Sequence, residues 1–132
     1  MSYLIDTDIC IYWLKGNANI EQKALAVRLD NIYISFIALS ELYYGAYKSQ
    51  RIKGNLIAVK ALWNKLGFIE SNEDICETFG KLKADLEKKG NVINDADMFI
   101  ASCALVNGFT LVTNNERHFK RIKRLKVENW IK

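Results

Sequence analysis

Residues 3–8 of the chain are Tyr3-Leu4-Ile5-Asp6-Thr7-Asp8. A short apolar run leads directly into a carboxylate, and no turn residue separates the two. This pattern predicts a buried strand that ends at Asp6. In an open parallel sheet, ligands bind outside the carboxyl ends of the strands, so Asp6 is a candidate site residue. The helix that follows needs an N-terminal cap, and we assign that role to Asp8 in preference to Asp6.

The rest of the chain alternates strand-like apolar runs with segments of helical spacing. Further strands are predicted at residues 31–36, 68–69, 109–113 and 125–127. Helices are predicted at residues 9–15, 19–29, 38–47, 54–66, 71–89 and around 98–106. This alternation predicts an α/β fold with a mostly parallel central sheet of about four or five strands and helices on both faces.

The length of 132 residues is enough for one domain with its own core and too short for two, so we expect a single domain over residues 1–132. No apolar run is long enough to span a bilayer, and the N-terminus lacks the pattern of a signal peptide. We therefore expect a cytoplasmic protein without a membrane partner. Cys10, Cys76 and Cys103 form no metal-ligand pattern and are expected to be reduced core thiols.

Basic residues are concentrated near the C-terminus. The net charge of the chain is +4, and five basic residues lie within seven positions: Lys120, Arg121, Lys123, Arg124 and Lys126. Such a cluster fits contact with the phosphate backbone of a nucleic acid. A solvated basic surface explains the cluster equally well, and the sequence leaves both interpretations open.

Glu41 lies opposite the apolar stripe of the helix predicted to begin at about Ala38. A solvated glutamate near a helix N-terminus is favoured by the helix dipole and needs no function. Alternatively, the first turn of this helix faces the cleft beside Asp6, and Gly45, one turn further along, leaves room for a ligand. The spacing supports both interpretations.

Asp97 opens the second informative segment, in which the residues from Met98 to Val106 are apolar except for Ser102. A helix of this composition is expected to be covered on all sides. Asn94 is the expected cap, and Asp97 could simply complement the helix dipole. Asn115, after a later strand, could likewise be an ordinary loop residue, as could Glu116.

The four positions gain meaning from their common place in the fold. Asp6, Glu41, Asp97 and Asn115 all fall at the carboxyl edge of a doubly wound sheet. Carboxylates crowded there would repel one another unless a cation lay between them. Oxygen ligands without supporting Cys or His suit Mg²⁺ or Mn²⁺ rather than zinc. A divalent ion beside a basic surface is the apparatus of phosphodiester hydrolysis.

Four motifs resemble, in order, those of the PIN domain. They are Leu4-Ile5-Asp6-Thr7, Ser40-Glu41-Leu42-Tyr43-Tyr44-Gly45, Asp97-Met98-Phe99-Ile100-Ala101, and Leu111-Val112-Thr113-Asn114-Asn115 followed by His118-Phe119. Their order and spacing are similar to those of the VapC-type toxins of bacterial toxin–antitoxin pairs. The similarity extends from the first strand to the tail, Val127-Glu128-Asn129-Trp130-Ile131. Each motif is weak alone, but four in order across a chain of this length are specific.

The resemblance implies a PIN-like fold and a Mg²⁺-dependent endoribonuclease toxin, with Mn²⁺ able to substitute. It also implies three kinds of partner: an RNA substrate, a VapB-like antitoxin whose C-terminal segment occupies the active-site groove, and a second copy of the chain in a homodimer or larger assembly. The expected reaction is hydrolysis of an RNA phosphodiester bond by metal-activated water.

The site residues follow from the motifs one by one. Asp6, Glu41 and Asp97 match the family's metal-binding acids. Asn115 falls where many relatives carry a fourth acid and others Asn, so it is a candidate catalytic residue. Asp95 is an extra acid, and Asp97 is the better match because it begins the Asp-x-x-Ile-Ala pattern.

Two other families deserve comparison. Asp6-Thr7-Asp8 after a strand also resembles haloacid-dehalogenase-like phosphatases, in which the first Asp is a nucleophile. That pattern needs a Thr where Cys10 stands, and a catalytic Lys in a downstream motif that this chain lacks. A non-catalytic receiver-like phosphoacceptor domain would need an acceptor Asp ending its middle strand and a Lys ending its last, and neither is present. We therefore favour the nuclease.

Overall fold

The computed structural model describes residues 1–132. Five strands form one sheet in the order β3-β2-β1-β4-β5, and every neighbouring pair is parallel. The strands are β1 Tyr3–Ile5, β2 Ile32–Ser35, β3 Gly67–Ile69, β4 Thr110–Val112 and β5 Val127–Glu128. The predicted α/β class, strand number and parallel sheet are confirmed. The first strand lies at the centre, so the residue after it occupies the middle of the carboxyl edge.

Seven α-helices connect the strands. They are α1 Thr7–Leu14, α2 Ala18–Val27, α3 Phe36–Tyr47, α4 Ile52–Lys65, α5 Glu73–Lys88, α6 Asp95–Asn107 and α7 Glu116–Phe119, with a 3₁₀ turn at Leu29–Asn31. None of these helices is both long and apolar enough to cross a membrane.

Two hydrophobic cores lie on opposite faces of the sheet, because successive side chains of a strand point to opposite sides. In β1, Ile5 joins the core beneath α1, α2, α3 and α4, whereas Leu4 joins the core beneath α5 and α6. In β4, Val112 lies in the same core as Ile5, and Leu111 lies in the same core as Leu4. Helix α6 is the most deeply covered, with six of its residues buried, as its apolar sequence predicts.

Several element boundaries differ from the sequence prediction. Helix α3 begins at Phe36 rather than at Ala38, because the Ser35 side chain accepts a hydrogen bond from the Ala38 N–H at 3.1 Å and so caps the helix directly after β2. The last strand starts at Val127, and Leu125 is instead a buried anchor in the turn before it. Cys10 and Cys103 are buried free thiols as predicted, but Cys76 is exposed.

The edge strand β3 begins with a residue whose lack of a side chain is required. A Cβ at Gly67 would lie 2.4 Å from a ring atom of Tyr33 in the neighbouring strand. The Tyr33 ring cannot easily move away, because it packs against Phe109 with ring centroids 4.7 Å apart. Gly67 therefore allows β3 to pair closely with β2.

Candidate active site

Asp6 lies at the centre of the carboxyl edge, directly after β1, and is only 5% exposed. Its Oδ1 accepts a hydrogen bond of 2.8 Å from the Thr7 N–H, and its Oδ2 accepts one of 2.8 Å from the Thr113 hydroxyl after β4. Asp6 is thus the N-terminal cap of α1, so the assignment of that role to Asp8 was wrong. The capping bond uses one carboxylate oxygen, and the other oxygen faces the loop after β4.

Asp8 reaches across the site rather than capping its own helix. Its Oδ2 accepts a hydrogen bond from the Asn114 N–H at 3.2 Å, which ties α1 to the loop after β4. Its Oδ1 is buried and has no hydrogen-bond partner. A buried carboxylate oxygen without a partner is costly, and it is an available ligand for a cation. The Asp-x-Asp spacing after a buried strand was the sequence signal for this residue.

The electrostatics of the two aspartates reflect burial and mutual repulsion. Burial, with the nearby charge of Asp8 and a smaller contribution from Asp97, raises the pKa of Asp6 from 3.8 to about 7, against the lowering effect of its hydrogen bonds. Burial likewise raises the pKa of Asp8, and Asp97 adds to the increase. The neighbouring Cys10 thiol, fully buried, has its pKa raised well above its usual value. The site therefore resists negative charge unless a cation is present.

Glu41 lies in the second turn of α3, not in the first, and is exposed. Its Oε1 accepts a hydrogen bond from the hydroxyl of Thr7, the residue next to Asp6. Glu41 also lines, with Gly45, a largely apolar groove of about 330 Å³ between α1, α3 and α4. A Cβ at Gly45 would meet no atom within 4 Å, so the space beside this glycine is open to a ligand. The structure thus places Glu41 beside the start of α1, and Gly45 further along the same groove.

Asp97 lies in the first turn of α6, where Asn94 is the predicted cap and accepts a hydrogen bond from the Asp97 N–H at 2.8 Å. The Asn94 amide donates back to Asp97 Oδ2 at 3.1 Å. The Nδ1 of His118 lies 3.5 Å from the same Oδ2. Asp97 is 17% exposed, whereas Asp95 is 61% exposed and pairs with Lys83 at 3.1 Å. The structure therefore separates the two acids as the sequence pattern did.

Asn115 is linked to both halves of the site. Its N–H donates to the Thr113 hydroxyl oxygen at 3.0 Å, and its side-chain amide lies 2.9 Å from His118 Nδ1. The Thr113 hydroxyl thus donates a hydrogen bond to Asp6 and accepts one from the Asn115 N–H. Glu116 points away and lies 3.7 Å from the Lys132 ammonium.

The acids share the site without forming a closed ligand set. Asp6, Asp8 and Asp97 lie near enough to influence one another's charge. In this arrangement, no group of three or more acidic, His or Cys side chains is close enough to hold a metal ion. The donor chemistry nevertheless suits a hard cation, because the acids offer carboxylate oxygens and one buried oxygen is unpartnered.

Comparison with known proteins identifies the family. Residues 3–125 match the PIN domain family. A curated relative, Ribonuclease VapC2 of Rickettsia felis, is 37% identical over 134 residues, covering 100% of both chains. The chain is a PIN-domain protein of the VapC type. This membership sets aside the phosphatase and receiver alternatives.

Solved structures of VapC-type proteins share the whole fold. One is VapBC2 from Rickettsia felis bound to a DNA fragment from its promoter, with a TM-score of 0.93, 36% identity and coverage of 98% of this chain and 99% of that chain. Another is VapBC-1 from nontypeable Haemophilus influenzae, with a TM-score of 0.90, 34% identity and coverage of 100% of both chains. The PIN fold predicted from the sequence is confirmed.

Without metal, the charge of Asp6 should lower the stability of this VapC-type protein. Because the folded state raises the pKa of Asp6 from 3.8 to about 7, the charged form destabilises the fold as the pH rises through this range. Asp6→Asn removes that charge and retains an acceptor for the Thr7 N–H. In chelator at about pH 8, the variant should raise the free energy of unfolding by up to about 4 kcal/mol, since one pKa unit corresponds to about 1.36 kcal/mol.

Denaturant unfolding at several pH values measures the effect. The gain should be complete above about pH 7 and vanish below about pH 3, where Asp6 is protonated in both the folded and the unfolded state. The matched control is Asp95→Asn, an exposed Asp in the same first turn as Asp97, which should show no such gain. A gain of equal size at both ends of the pH range would contradict the assignment of the effect to the Asp6 charge.

Proposed function

We propose that this chain is a Mg²⁺-dependent endoribonuclease toxin of a VapBC-type toxin–antitoxin pair. The observation that carries the proposal is Asp6, a nearly buried carboxylate at the carboxyl edge whose pKa is raised to about 7 by burial and by neighbouring acids. A carboxyl group whose pKa is shifted by burial and by neighbouring acids, at the edge of a parallel sheet where ligands bind, is a candidate functional group. The relative from Rickettsia felis bears the name ribonuclease, and it aligns over the full length.

The residues that would hold the cation are Asp6, Glu41 and Asp97, with Asp8 as a further oxygen donor. Their oxygen chemistry fits Mg²⁺, and Mn²⁺ would bind in its place. When bound, a divalent ion lowers the pKa of a water and stabilises the charge that develops on a phosphate during in-line displacement. Two contacts link these acids: the charge of Asp97 contributes to the raised pKa of Asp6, and Glu41 accepts a hydrogen bond from Thr7, the residue next to Asp6.

The remaining side chains hold the acids in position. The Thr7 N–H and the Thr113 hydroxyl fix both oxygens of Asp6, so its carboxylate keeps one orientation. Asn115 is held by Thr113 and lies beside His118, where its amide can contact a substrate phosphate or sugar. His118, near Asp97, is 38% exposed on its side chain and is suited to contact RNA.

A cleavage assay tests the roles of the acids. Asp97→Asn should abolish cleavage of RNA by the purified chain in Mg²⁺, because the loss of one charge weakens cation binding. Asp6→Asn should have the same effect, and chelation of divalent ions should abolish cleavage by the unmodified chain. Rates are measured on labelled RNA after contaminating nuclease has been excluded.

Asp95→Asn is again the matched control, because Asp95 pairs with Lys83 outside the site. It should cut RNA at close to the rate of the unmodified chain. Undiminished cleavage by Asp97→Asn would refute the assignment of the acids.

The chemistry of the cut ends tests whether water is the nucleophile. Attack by the RNA 2′-hydroxyl commonly needs a positioned acid and base, often two histidines, and this chain has only His118. Hydrolysis by water leaves a 5′-phosphate and a free 3′-hydroxyl, so the products should be degraded by a 5′-phosphate-dependent exonuclease. His118→Ala should retain much of the rate. Fragments that carry a 2′,3′-cyclic phosphate would overturn the proposed mechanism.

We also propose that a VapB-like antitoxin occupies the groove between α1, α3 and α4. Both solved relatives described above are VapBC structures. Here the groove is lined mainly by apolar side chains, and Glu41 lies on its wall. A bound segment in the groove would therefore lie next to one of the proposed metal-binding acids. A basic side chain of that segment would be attracted to the acids even without metal.

Filling the groove should weaken the antitoxin complex. Gly45→Leu places a side chain into the open groove, and steric conflict of about 1–3 kcal/mol would weaken binding by about 5- to 150-fold. Calorimetric titration with the antitoxin measures the affinity. Gly54→Leu on α4 is the control, since Gly54 is also helical with no atom within 4 Å and does not line the groove. Equal affinities of the two variants would rule out this docking site.

A further inference from the structure

The segment from Lys120 to Lys126 is built to present positive charge. Phe119, Ile122 and Leu125, at every third position, are buried in the core beneath α5 and α6. Backbone hydrogen bonds of 3.0 Å from the Ile122 N–H to the Phe119 carbonyl, and of 3.2 Å from the Leu125 N–H to the Ile122 carbonyl, fix the turns between these anchors. The residues between the anchors are all basic, and all are exposed.

These basic side chains are largely free of intramolecular partners. Arg121 donates a hydrogen bond of 2.9 Å to the Val92 carbonyl, which holds the segment against the loop before α6. The other four, Lys120, Lys123, Arg124 and Lys126, form no ion pair. The five charges exceed the net charge of +4 for the whole chain, so the rest of the molecule does not attract polyanions by its overall charge.

The path of the segment connects it to the acids. It follows α7, in which His118 Nδ1 lies 3.5 Å from Asp97 Oδ2. From there the chain returns along the flank of the sheet, and the Lys126 carbonyl accepts a hydrogen bond of 2.9 Å from the Leu111 N–H of β4. Lys120 thus lies near the carboxyl edge, and Lys126 lies at the amino end of β5. The charges form a track that leads away from the acids.

We propose that residues 120–126, which we call the basic track, bind the phosphate backbone of RNA beside the bond to be cut. The inference rests on the proposed nuclease function. The acids repel the phosphate that they must approach, and a neighbouring fixed positive surface offsets that repulsion over several nucleotides.

Salt dependence tests the basic track without requiring cleavage. Binding of a fluorescent single-stranded oligoribonucleotide is measured by anisotropy in chelator, between about 50 and 200 mM salt. Each phosphate contact contributes about 0.7 to the slope of log K against log salt, so Lys123→Gln with Arg124→Gln should lower the slope by about 1.4. Affinity at about 0.1 M salt should fall about tenfold or more.

The control pair is Lys53→Gln with Lys60→Gln, which removes the same charge from exposed positions of α4 on the opposite face of the sheet. It should leave the slope unchanged. Thermal unfolding checks that both pairs fold, as expected for exposed side chains. An unchanged slope in the Lys123 and Arg124 variant, or an equal decrease in the control, would refute the proposal that the basic track binds RNA.

The same measurement separates this inference from the proposed function. If the slope changes as predicted but the unmodified chain cuts no RNA in Mg²⁺, RNA binding by the basic track is supported and the proposed nuclease function is refuted. If the unmodified chain cuts RNA but the slope does not change in the variant, the nuclease function is supported and RNA binding by the basic track is refuted.

Discussion

The arrangement of the site depends on one carboxylate held where two strands meet. Asp6 follows β1 and bonds to Thr113 after β4, so the side chain fastens together the ends of the two central strands. The same group caps α1 through the Thr7 N–H. Burial penalises the charge that these hydrogen bonds favour, and the net result is a pKa of about 7. The charged form of Asp6 is therefore unfavourable in the fold unless a positive charge lies near it.

The surrounding side chains add negative charge near Asp6 and do not neutralise it. Asp8 brings a second carboxylate with one oxygen unpartnered, and Asp97 adds a third charge from α6. The hydrogen bonds of Asn94, Thr7 and Thr113 fix the orientation of acids without neutralising them. Acids held close together in this way cost the fold some stability, as functional sites often do.

The sequence predicted the parts of the fold that depend on local pattern. The central strand, the Asn94 cap and the buried helix α6 follow from short-range periodicity and capping chemistry. The role of Asp8 did not follow, because its partner Asn114 lies 106 residues further along the chain. The exposure of Leu25, Tyr47 and Ile57 cannot be derived from the sequence either, because an apolar side chain at helical spacing does not reveal whether another element covers it. Sequence placed the acids at one edge, but their separation depends on how the helices pack.

The central position of β1 has a consequence for the order in which the molecule assembles. Strand β1 pairs on one side with β2, but its other neighbour, β4, comes more than a hundred residues later in the chain. Pairing so distant in sequence is slow and must wait for most of the chain. The Asp6–Thr113 contact spans 107 residues, so it cannot form on a nascent chain that stops short of β4. Until β4 has been synthesised, Asp6 and Thr113 therefore cannot come together, and the two halves of the site stay apart.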